Sequence, residues 1–206
     1  MTLDPAPRDS DLVAALTTLE SGLGPAPFSV CDSWASLDLS ASGYTVAERG
    51  LWLVRPPGSP PTRPLPADLV IERVVDAGGL QAFEAAAAEG FEHPEMLAGG
   101  AGSVHAPGVL DDENLHVFVG RVRNRAVSVA MAYVSHDIVG VYGVATVPGF
   151  RRRGYGEALT WDASCAAPGL PAMLQPSASG EATYRRMGYT PAGRFIRWLR
   201  QPAAGH

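Results

Sequence analysis

The chain has 206 residues, of which 46% are hydrophobic and 18% charged, and its formal net charge at pH 7 is −5. This composition is typical of a soluble globular protein, because it is too apolar for a disordered chain and has no apolar run of the roughly 20 residues that a membrane span needs. All 16 basic residues are arginines, which excludes P-loop nucleotide enzymes and Schiff-base enzymes, since both need a lysine amine.

The charge is unevenly distributed along the chain. Residues 68–116 carry ten acids and one arginine, a net charge of −9, whereas residues 117–206 carry eleven arginines and four acids, a net charge of +7. This division favours one cationic and one polyanionic ligand, with two solvated surfaces as the alternative. The net negative charge and the lack of spaced aromatic and basic side chains argue against nucleic-acid binding.

The ends and the cysteines indicate the compartment. The first residues, MTLDPAPRDSD, lack the basic and apolar segments of a secretory signal. The two cysteines, Cys31 and Cys165, are far apart and not at metal-ligand spacing. We therefore expect a reduced cytoplasmic protein that binds neither a membrane nor a metal.

The first third of the chain predicts an extension. Ser10 can cap a short amphipathic helix whose apolar positions are Leu12, Val13, Leu16 and Leu19. Residues 44–55 predict one or two strands around a turn at Arg49 and Gly50. Six prolines between residues 55 and 66 predict an extended connector. We therefore divide the chain into an N-terminal extension, residues 1–66, and a main domain, residues 67–206.

Beyond the connector the pattern is that of an α+β domain. The predicted elements are, in order, a strand at 69–75, a helix at 79–90, a hairpin of strands at 115–122 and 126–135, a strand at 138–147, a helix at 154–167, a strand at 172–175, a helix at 181–187 and a strand at 194–199. The nearly continuous apolar run at 138–147 is typical of a central strand buried on both faces. Residues 91–114 form a long irregular stretch, and such loops in compact domains are usually functional or mobile.

The segment after the central strand is the most informative about function. Pro148 ends the strand, and the chain turns through Arg151-Arg152-Arg153-Gly154-Tyr155-Gly156 into a helix. Glycines let several N–H groups point into one concavity at a helix N-terminus, where the helix dipole and neighbouring guanidiniums favour an anion. A dinucleotide-binding loop would need a third glycine where this chain has Leu159. A purely structural basic turn is the other alternative.

This segment resembles motif A of the GNAT superfamily of N-acyltransferases. The signature Gln/Arg-x-x-Gly-x-Gly/Ala is matched by Arg151, Gly154 and Gly156. A second landmark of the family is a tyrosine four residues before a Gly-aromatic pair, and Tyr184 stands in that position before Gly188 and Tyr189. The family's usual asparagine and alanine in that segment are replaced by Ser177 and Gly180.

The resemblance covers about two thirds of the chain and implies a fold. It implies a three-layer α/β/α arrangement around a mixed, mostly antiparallel sheet with a splayed central strand pair. It also implies an acetyl-CoA site, in which the central strand pairs with the pantetheine arm and the glycine loop holds the pyrophosphate. The cofactor-binding residues that it implies are Val144, Ala145, Thr146, Arg151, Arg152, Arg153, Gly154, Tyr155, Gly156 and Ser177.

The function that the resemblance implies is N-acetylation by direct attack of an amine on acetyl-CoA in a ternary complex. Tyr184 stands in the family's position for the acid that protonates the leaving thiolate, with core packing as the alternative role. The acceptor is expected to be a primary amine of a cationic small molecule or peptide, and a homodimer is one possible assembly. Because the central strand carries no acid, a non-catalytic acyl-CoA sensor or interaction module is the alternative function. The general base is left open among Glu92, His93, Glu95, His105, Asp111, Glu113 and His116.

Overall fold

The computed structural model describes residues 14–16, 18–19, 28–60, 66–100 and 102–200. The described residues pack as two compact units, one formed by residues up to Leu53 and from Pro191 onward, the other by residues from Val54 to Thr190. The division of the chain at residue 66 stays a prediction.

The strands and α-helices are, in chain order, β1 (Phe28–Asp32), β2 (Thr45–Arg55), β3 (Val70–Arg73), α1 (Ala77–Phe91), β4 (Leu115–Val122), β5 (Arg125–Ser135), β6 (Ile138–Thr146), α2 (Tyr155–Ser164), β7 (Ala172–Leu174), α3 (Glu181–Arg186) and β8 (Thr190–Arg200). Short 3-10 turns lie at Ser40–Ser42, Pro94–Leu97, Pro107–Asp111 and Pro148–Phe150. Residues 14–16 and 18–19 are helical, as predicted, whereas Ser10, Leu12 and Val13 lie outside the described residues.

The first unit is built on β1, β8 and most of β2. β8 lies between the other two strands and pairs antiparallel with β1. Its small core includes Leu16, Leu39, Tyr44, Ile196 and Trp198, each less than 9% exposed. Burial of these side chains is what stabilises a unit that has few helices of its own.

The predicted turn at Arg49 and Gly50 is wrong. β2 runs without interruption through both residues. A Cβ on Gly50 would collide with the ring of Phe195, so the glycine serves close packing within a strand instead of a reversal of the chain. The ring of Phe195 also contacts Trp52, with centroids 5.7 Å apart.

The second unit contains a five-stranded sheet in the order β7-β6-β5-β4-β3. β3, β4, β5 and β6 pair antiparallel in succession, and β6 pairs with β7 in parallel. The hairpin between β4 and β5 turns at Arg123 and Asn124, which have φ of 49° and 66°. Two consecutive positive φ values are typical of a two-residue hairpin turn that follows the strand twist, and the predicted hairpin is confirmed.

Helices cover both faces of this sheet. Because side chains alternate along a strand, Val129 and Ala145 point to one face, where they form a core with Phe83 of α1. Gly120 belongs to the opposite face, where a Cβ would lie only 2.8 Å from Cδ2 of Leu159 of α2. The predicted three-layer α/β/α fold with a mixed, mostly antiparallel sheet is therefore confirmed.

The parallel pair of β6 and β7, at one end of this five-strand order, is splayed. Val139 pairs with Ala172 and Gly140 with Met173, and the described residues form no further pair between β6 and β7, although β6 continues to Thr146. On its other side β6 carries a bulge, because the register with β5 shifts between Val129 and Met131. The bulge includes Gly143, which has a φ of +59°. The last residues of β6 thus border a gap on the side of β7, which is the predicted splay.

The end of α1 packs directly on β6 through Gly90. A Cβ on this glycine would lie 2.9 Å from Cβ of Ala145 and 3.2 Å from the main-chain nitrogen of Thr146. We expect Gly90→Ala to lower the free energy of unfolding by about 1–3 kcal/mol, because overpacking against a rigid backbone outweighs the roughly 0.5–1 kcal/mol that alanine gains in a helix.

Thermal unfolding measures this effect, with Gly169→Ala as the matched control. A Cβ on Gly169 meets nothing within 4 Å, so the control should melt like the unmodified protein. A melting temperature of Gly90→Ala equal to that of the control would contradict the close packing of α1 on β6.

Candidate active site

A cavity of about 550 Å³ lies within the second unit, at the gap beside β6. Its walls come from the end of β6, the loop and first turns of α2, and the segment that leads into α3. The lining residues are Val144, Thr146, Phe150, Arg151, Arg152, Gly154, Tyr155, Gly156, Glu157, Thr160, Ser179, Gly180, Thr183, Tyr184 and Arg186. The two motifs that are distant in sequence therefore meet in one cavity.

The glycine loop leads directly into the N-terminus of α2. Gly154 is the N-cap residue, with φ 84° and ψ 0°, a conformation that glycine adopts without strain. The first bond of the helix runs from the amide of Ala158 to the carbonyl of Gly154, at 3.0 Å. The amides of the first turn thus have no acceptor within the helix, and with the helix dipole they favour a bound anion.

The close approach of α2 to β6 depends on the second glycine of the motif. A Cβ on Gly156 would lie 3.1 Å from Oγ1 of Thr146. The same threonine hydroxyl is 2.8 Å from the hydroxyl of Ser128, which holds its position on the sheet. The helix N-terminus is consequently fixed against the strand that borders the gap.

Two of the loop arginines, Arg151 and Arg152, differ in their contacts. The guanidinium of Arg151 donates to the carbonyls of Thr146 at 3.1 Å and Gly90 at 2.8 Å, and to Oε2 of Glu92 at 3.1 Å. It therefore links the end of β6 to the end of α1. Arg152 is exposed on the cavity wall and has a strained φ of +61°.

Arg153 is bound to its own loop. It donates to the carbonyl of Gly149 at 3.2 Å and lies 5.3 Å above the ring of Phe150. Its guanidinium thus stabilises the turn that precedes the N-terminus of α2. Its cofactor contact stays a prediction, like that of the other arginines.

Three predicted cofactor residues have side chains that are engaged by other parts of the protein. Tyr155 is 2% exposed, and its hydroxyl donates to Oδ2 of Asp68 at 2.7 Å, which with burial raises the pKa of the phenol. Ala145 is packed under α1. Ser177 accepts a hydrogen bond from the amide of Gly180 at 3.2 Å and is outside the set of lining residues. For Tyr155 and Ala145, only the main chain can serve a ligand; the role of Ser177 stays a prediction.

Tyr184 lies on the cavity wall at the start of α3. Gly180 provides space for its ring, since a Cβ there would lie 3.0 Å from Cε2 of Tyr184. The ring contacts Tyr189 edge-on, with centroids 6.0 Å apart. Burial raises the pKa of Tyr184 above its ordinary value of 10.0, although a hydrogen bond with Thr160 opposes this effect. The phenol is therefore protonated at neutral pH and can donate into the cavity.

Five of the seven candidate bases are distinguished by the contacts that their side chains make. Glu92 binds Arg151, and His93 is paired with Glu95 at 2.7 Å, both exposed. His116 stacks on Phe118 on the α2 face, where burial and the charge of Arg73 lower its pKa. His105 differs from these, because its Nδ1 lies 3.1 Å from Oε1 of the buried Glu84.

Glu84 is not among the site residues that the sequence predicts. This glutamate stands on the alanine-rich helix α1 and is 1% exposed. The signal that could have found it is its spacing: it follows Phe83 and lies four positions after Leu80, both on the buried face. A carboxylate at a core position needs partners, which the loop after α1 supplies.

The described part of the chain contains neither a membrane-spanning helix nor a group of metal-ligating side chains. None of its helices combines the length and the apolar character needed to cross a bilayer. Within the same residues, no three or more His, Cys, Asp or Glu side chains are grouped as a metal site would require.

Comparisons with known proteins identify the fold. No protein-family model matches the chain, and no curated protein matches it in sequence. Among solved structures it is similar to a GCN5-related N-acetyltransferase from Kribbella flavida, with a TM-score of 0.60 and 22% identity over 82% of this chain. The chain has the GNAT fold.

Two further structures support the GNAT fold. A putative GNAT-family acetyltransferase from Novosphingobium aromaticivorans gives a TM-score of 0.62 at 18% identity, over 93% of this chain and 81% of that protein. A GCN5-related N-acetyltransferase from Sphaerobacter thermophilus gives 0.63 at 14% identity, over 97% and 70%. The chain spans 63% of the length of the Kribbella protein. The GNAT fold proposed from Arg151, Gly154, Gly156 and Tyr184 is thus confirmed.

Proposed function

We propose that the protein is an N-acetyltransferase that moves an acetyl group from acetyl-CoA to a primary amine of a cationic small molecule or peptide. The observation that carries this proposal is the meeting of the open edge of β6, the N-terminus of α2 and the hydroxyl of Tyr184 in one cavity. The names of the similar GNAT structures, which are acetyltransferases, agree with it.

The cavity fits coenzyme A in size and chemistry. About 550 Å³ lies within the range of small-molecule sites. The amides of the first turn of α2 and the guanidinium of Arg152 suit a pyrophosphate. The main chain of Val144 and Thr146 borders the gap between β6 and β7, where an amide-bearing arm can pair as an added strand.

The chemistry follows from the groups at the cavity. A neutral amine attacks the thioester carbonyl, so that a carbon–nitrogen bond forms, the carbon–sulfur bond breaks and the amine nitrogen releases a proton. Main-chain amides at the bulge of β6, near Val144, are suited to stabilise the oxyanion that develops on the carbonyl. The hydroxyl of Tyr184 donates its proton to the departing thiolate.

The direction of the pKa shift supports Tyr184 as the acid. Because burial raises its pKa above 10.0, the phenol remains protonated throughout the pH range in which amines begin to lose their proton. Deprotonation of Tyr184 should therefore cause no loss of activity below pH 10.

Release of free thiol tests the proposal. The full chain is mixed with acetyl-CoA and a panel of primary amines that includes polyamines, amino sugars and peptides with free amino termini, and thiol is detected colorimetrically. Amine-dependent thiol release on at least one compound is the expected result. Coenzyme A binding by calorimetry without turnover on any amine would instead favour a sensor, the function to which the absence of an acid on β6 points.

A further inference from the structure

A buried carboxylate and an imidazole form a pair outside the cofactor cavity. Glu84 of α1 is 1% exposed, and its Oε1 accepts the main-chain amide of His105 at 2.8 Å and lies 3.1 Å from Nδ1 of the same residue. Its Oε2 accepts the amide of Gly102 at 2.5 Å. The glutamate therefore fixes both the main chain and the ring of His105.

The hydrogen bonds determine which nitrogen of the ring carries a proton. Burial raises the pKa of Glu84, but hydrogen bonds from His105 and Gly102 lower it further, so its net pKa is below the ordinary value of 4.5. An ionised carboxylate only accepts hydrogen bonds, so Nδ1 of His105 must donate. In the neutral imidazole, Nε2 then keeps its lone pair.

Phe83 connects His105 with the bulge of β6. The two rings meet edge-on, with centroids 6.0 Å apart. Cζ of Phe83 lies 3.7 Å from the position that a Cβ on Gly143 would take. His105 thus packs on the α1 side of the sheet against a residue that borders Gly143, which precedes Val144 of the cavity.

This face is also open to a second substrate. Tyr142, which pairs with Met131 and shares its face, is 50% exposed, and the side chain of His105 keeps 26% exposure. After Gly140, β6 forms no further pair with β7 among the described residues, and the cavity lies beside that stretch, with Val144 and Thr146 in its wall. An amine on the α1 face can therefore approach a thioester held in the gap.

We propose that His105, oriented by Glu84, is the general base that takes the proton from the attacking amine, directly or through one water. This inference rests on the proposed acetyltransferase function. The nitrogen of the amine gives its proton to Nε2 of His105 as the carbon–nitrogen bond forms. Tyr184 protonates the thiolate; afterwards the imidazolium gives its proton to water and the tyrosinate takes one up from water. Glu84 acts as a positioning residue.

Replacement of His105 by glutamine tests the assignment. In the described residues, Glu84 is the one titratable side chain that hydrogen-bonds or ion-pairs with His105. His105→Gln should lower kcat at least tenfold, because general-base contributions are about 10²–10⁴ and water can replace part of them. The affinity for acetyl-CoA should stay within twofold. His93→Gln, which changes an exposed histidine of the same loop paired with Glu95, is the matched control and should retain full turnover.

Two further variants separate catalysis from loop structure. Glu84→Gln keeps an oxygen for the amides of His105 and Gly102 but loses the charge that stabilises the imidazolium, so kcat should fall while KM for acetyl-CoA stays near normal. Imidazole in solution should restore part of the activity of His105→Gly. Unchanged turnover in His105→Gln would overturn the assignment of the base alone. Lack of thiol release by the unmodified protein on every amine would overturn the acetyltransferase function itself.

Discussion

Replacing Gly154 with valine is expected to abolish coenzyme A binding, with at least a hundredfold rise in Kd. Gly154 has a φ of +84° at the N-cap of α2, where a β-branched residue costs about 1–3 kcal/mol of strain. Relief of that strain would rotate the amides of the first turn out of their common direction, and the new side chain would also press on Pro66, since a Cβ on Gly154 lies 3.6 Å from its Cγ. Calorimetric titration with coenzyme A measures the loss.

Gly149→Val is the matched control for this result. Gly149 belongs to the same loop, has no positive φ, and a Cβ there meets nothing within 4 Å. The control should bind coenzyme A with normal affinity and melt like the unmodified protein, whereas Gly154→Val should remain folded but melt at a lower temperature because of its backbone strain. Retained binding by Gly154→Val would contradict the placement of the pyrophosphate at the start of α2.

Replacing Tyr184 with phenylalanine is expected to lower kcat by about 100-fold, since a positioned acid contributes about 10²–10⁴. The affinity for acetyl-CoA should remain near normal, because the ring keeps its seat against Gly180 and its contact with Tyr189. Steady-state kinetics with a second acyl donor, whose leaving thiol has a lower pKa than coenzyme A, sharpen the result. Such a thiolate needs less protonation to leave, so the loss of kcat in Tyr184→Phe should be smaller with this donor.

Tyr189→Phe serves as the matched control for Tyr184→Phe. The buried hydroxyl of Tyr189 forms a hydrogen bond with the hydroxyl of Ser164, the two oxygens lying 2.5 Å apart. Burial raises the pKa of Tyr189 to about 12. Its loss should reduce stability by about 1 kcal/mol without a comparable fall in kcat. Equal turnover by Tyr184→Phe and the unmodified protein would remove Tyr184 from the acid role.

The α+β part of the fold could be predicted because its signals are local. The apolar run of β6, the capping Asp76 of α1 and the two-residue turn at Arg123 and Asn124 each determine a neighbouring backbone conformation. The strand β1 was missed, because it is short and its contribution comes from pairing with β8 at the other end of the chain. The false turn at Gly50 has the same cause, since only the ring of Phe195 explains a glycine there.

The candidate site could be predicted in part. The main chain of the loop was readable, because a glycine at Gly154 and a helix after it imply free amides whatever the rest of the fold does. Side-chain directions were not readable: Tyr155 turns inward to Asp68, and Arg151 is directed to α1. The pair of Glu84 and His105 joins a helix to a loop residue 21 positions later. A contact over that distance leaves no periodic pattern in the sequence from which it could be predicted.

The splay beside β6 also limits which molecules can pair with the free stretch of that strand. An unpaired strand at the rim of a sheet can recruit any other chain, and such edges promote aggregation. Here the unpaired stretch of β6 after Gly140 faces its neighbour β7 in the same sheet and not the rim, an arrangement that favours a slender, extended molecule. A thin linear arm with amides spaced like those of a peptide meets that requirement, whereas a second polypeptide with its side chains does not.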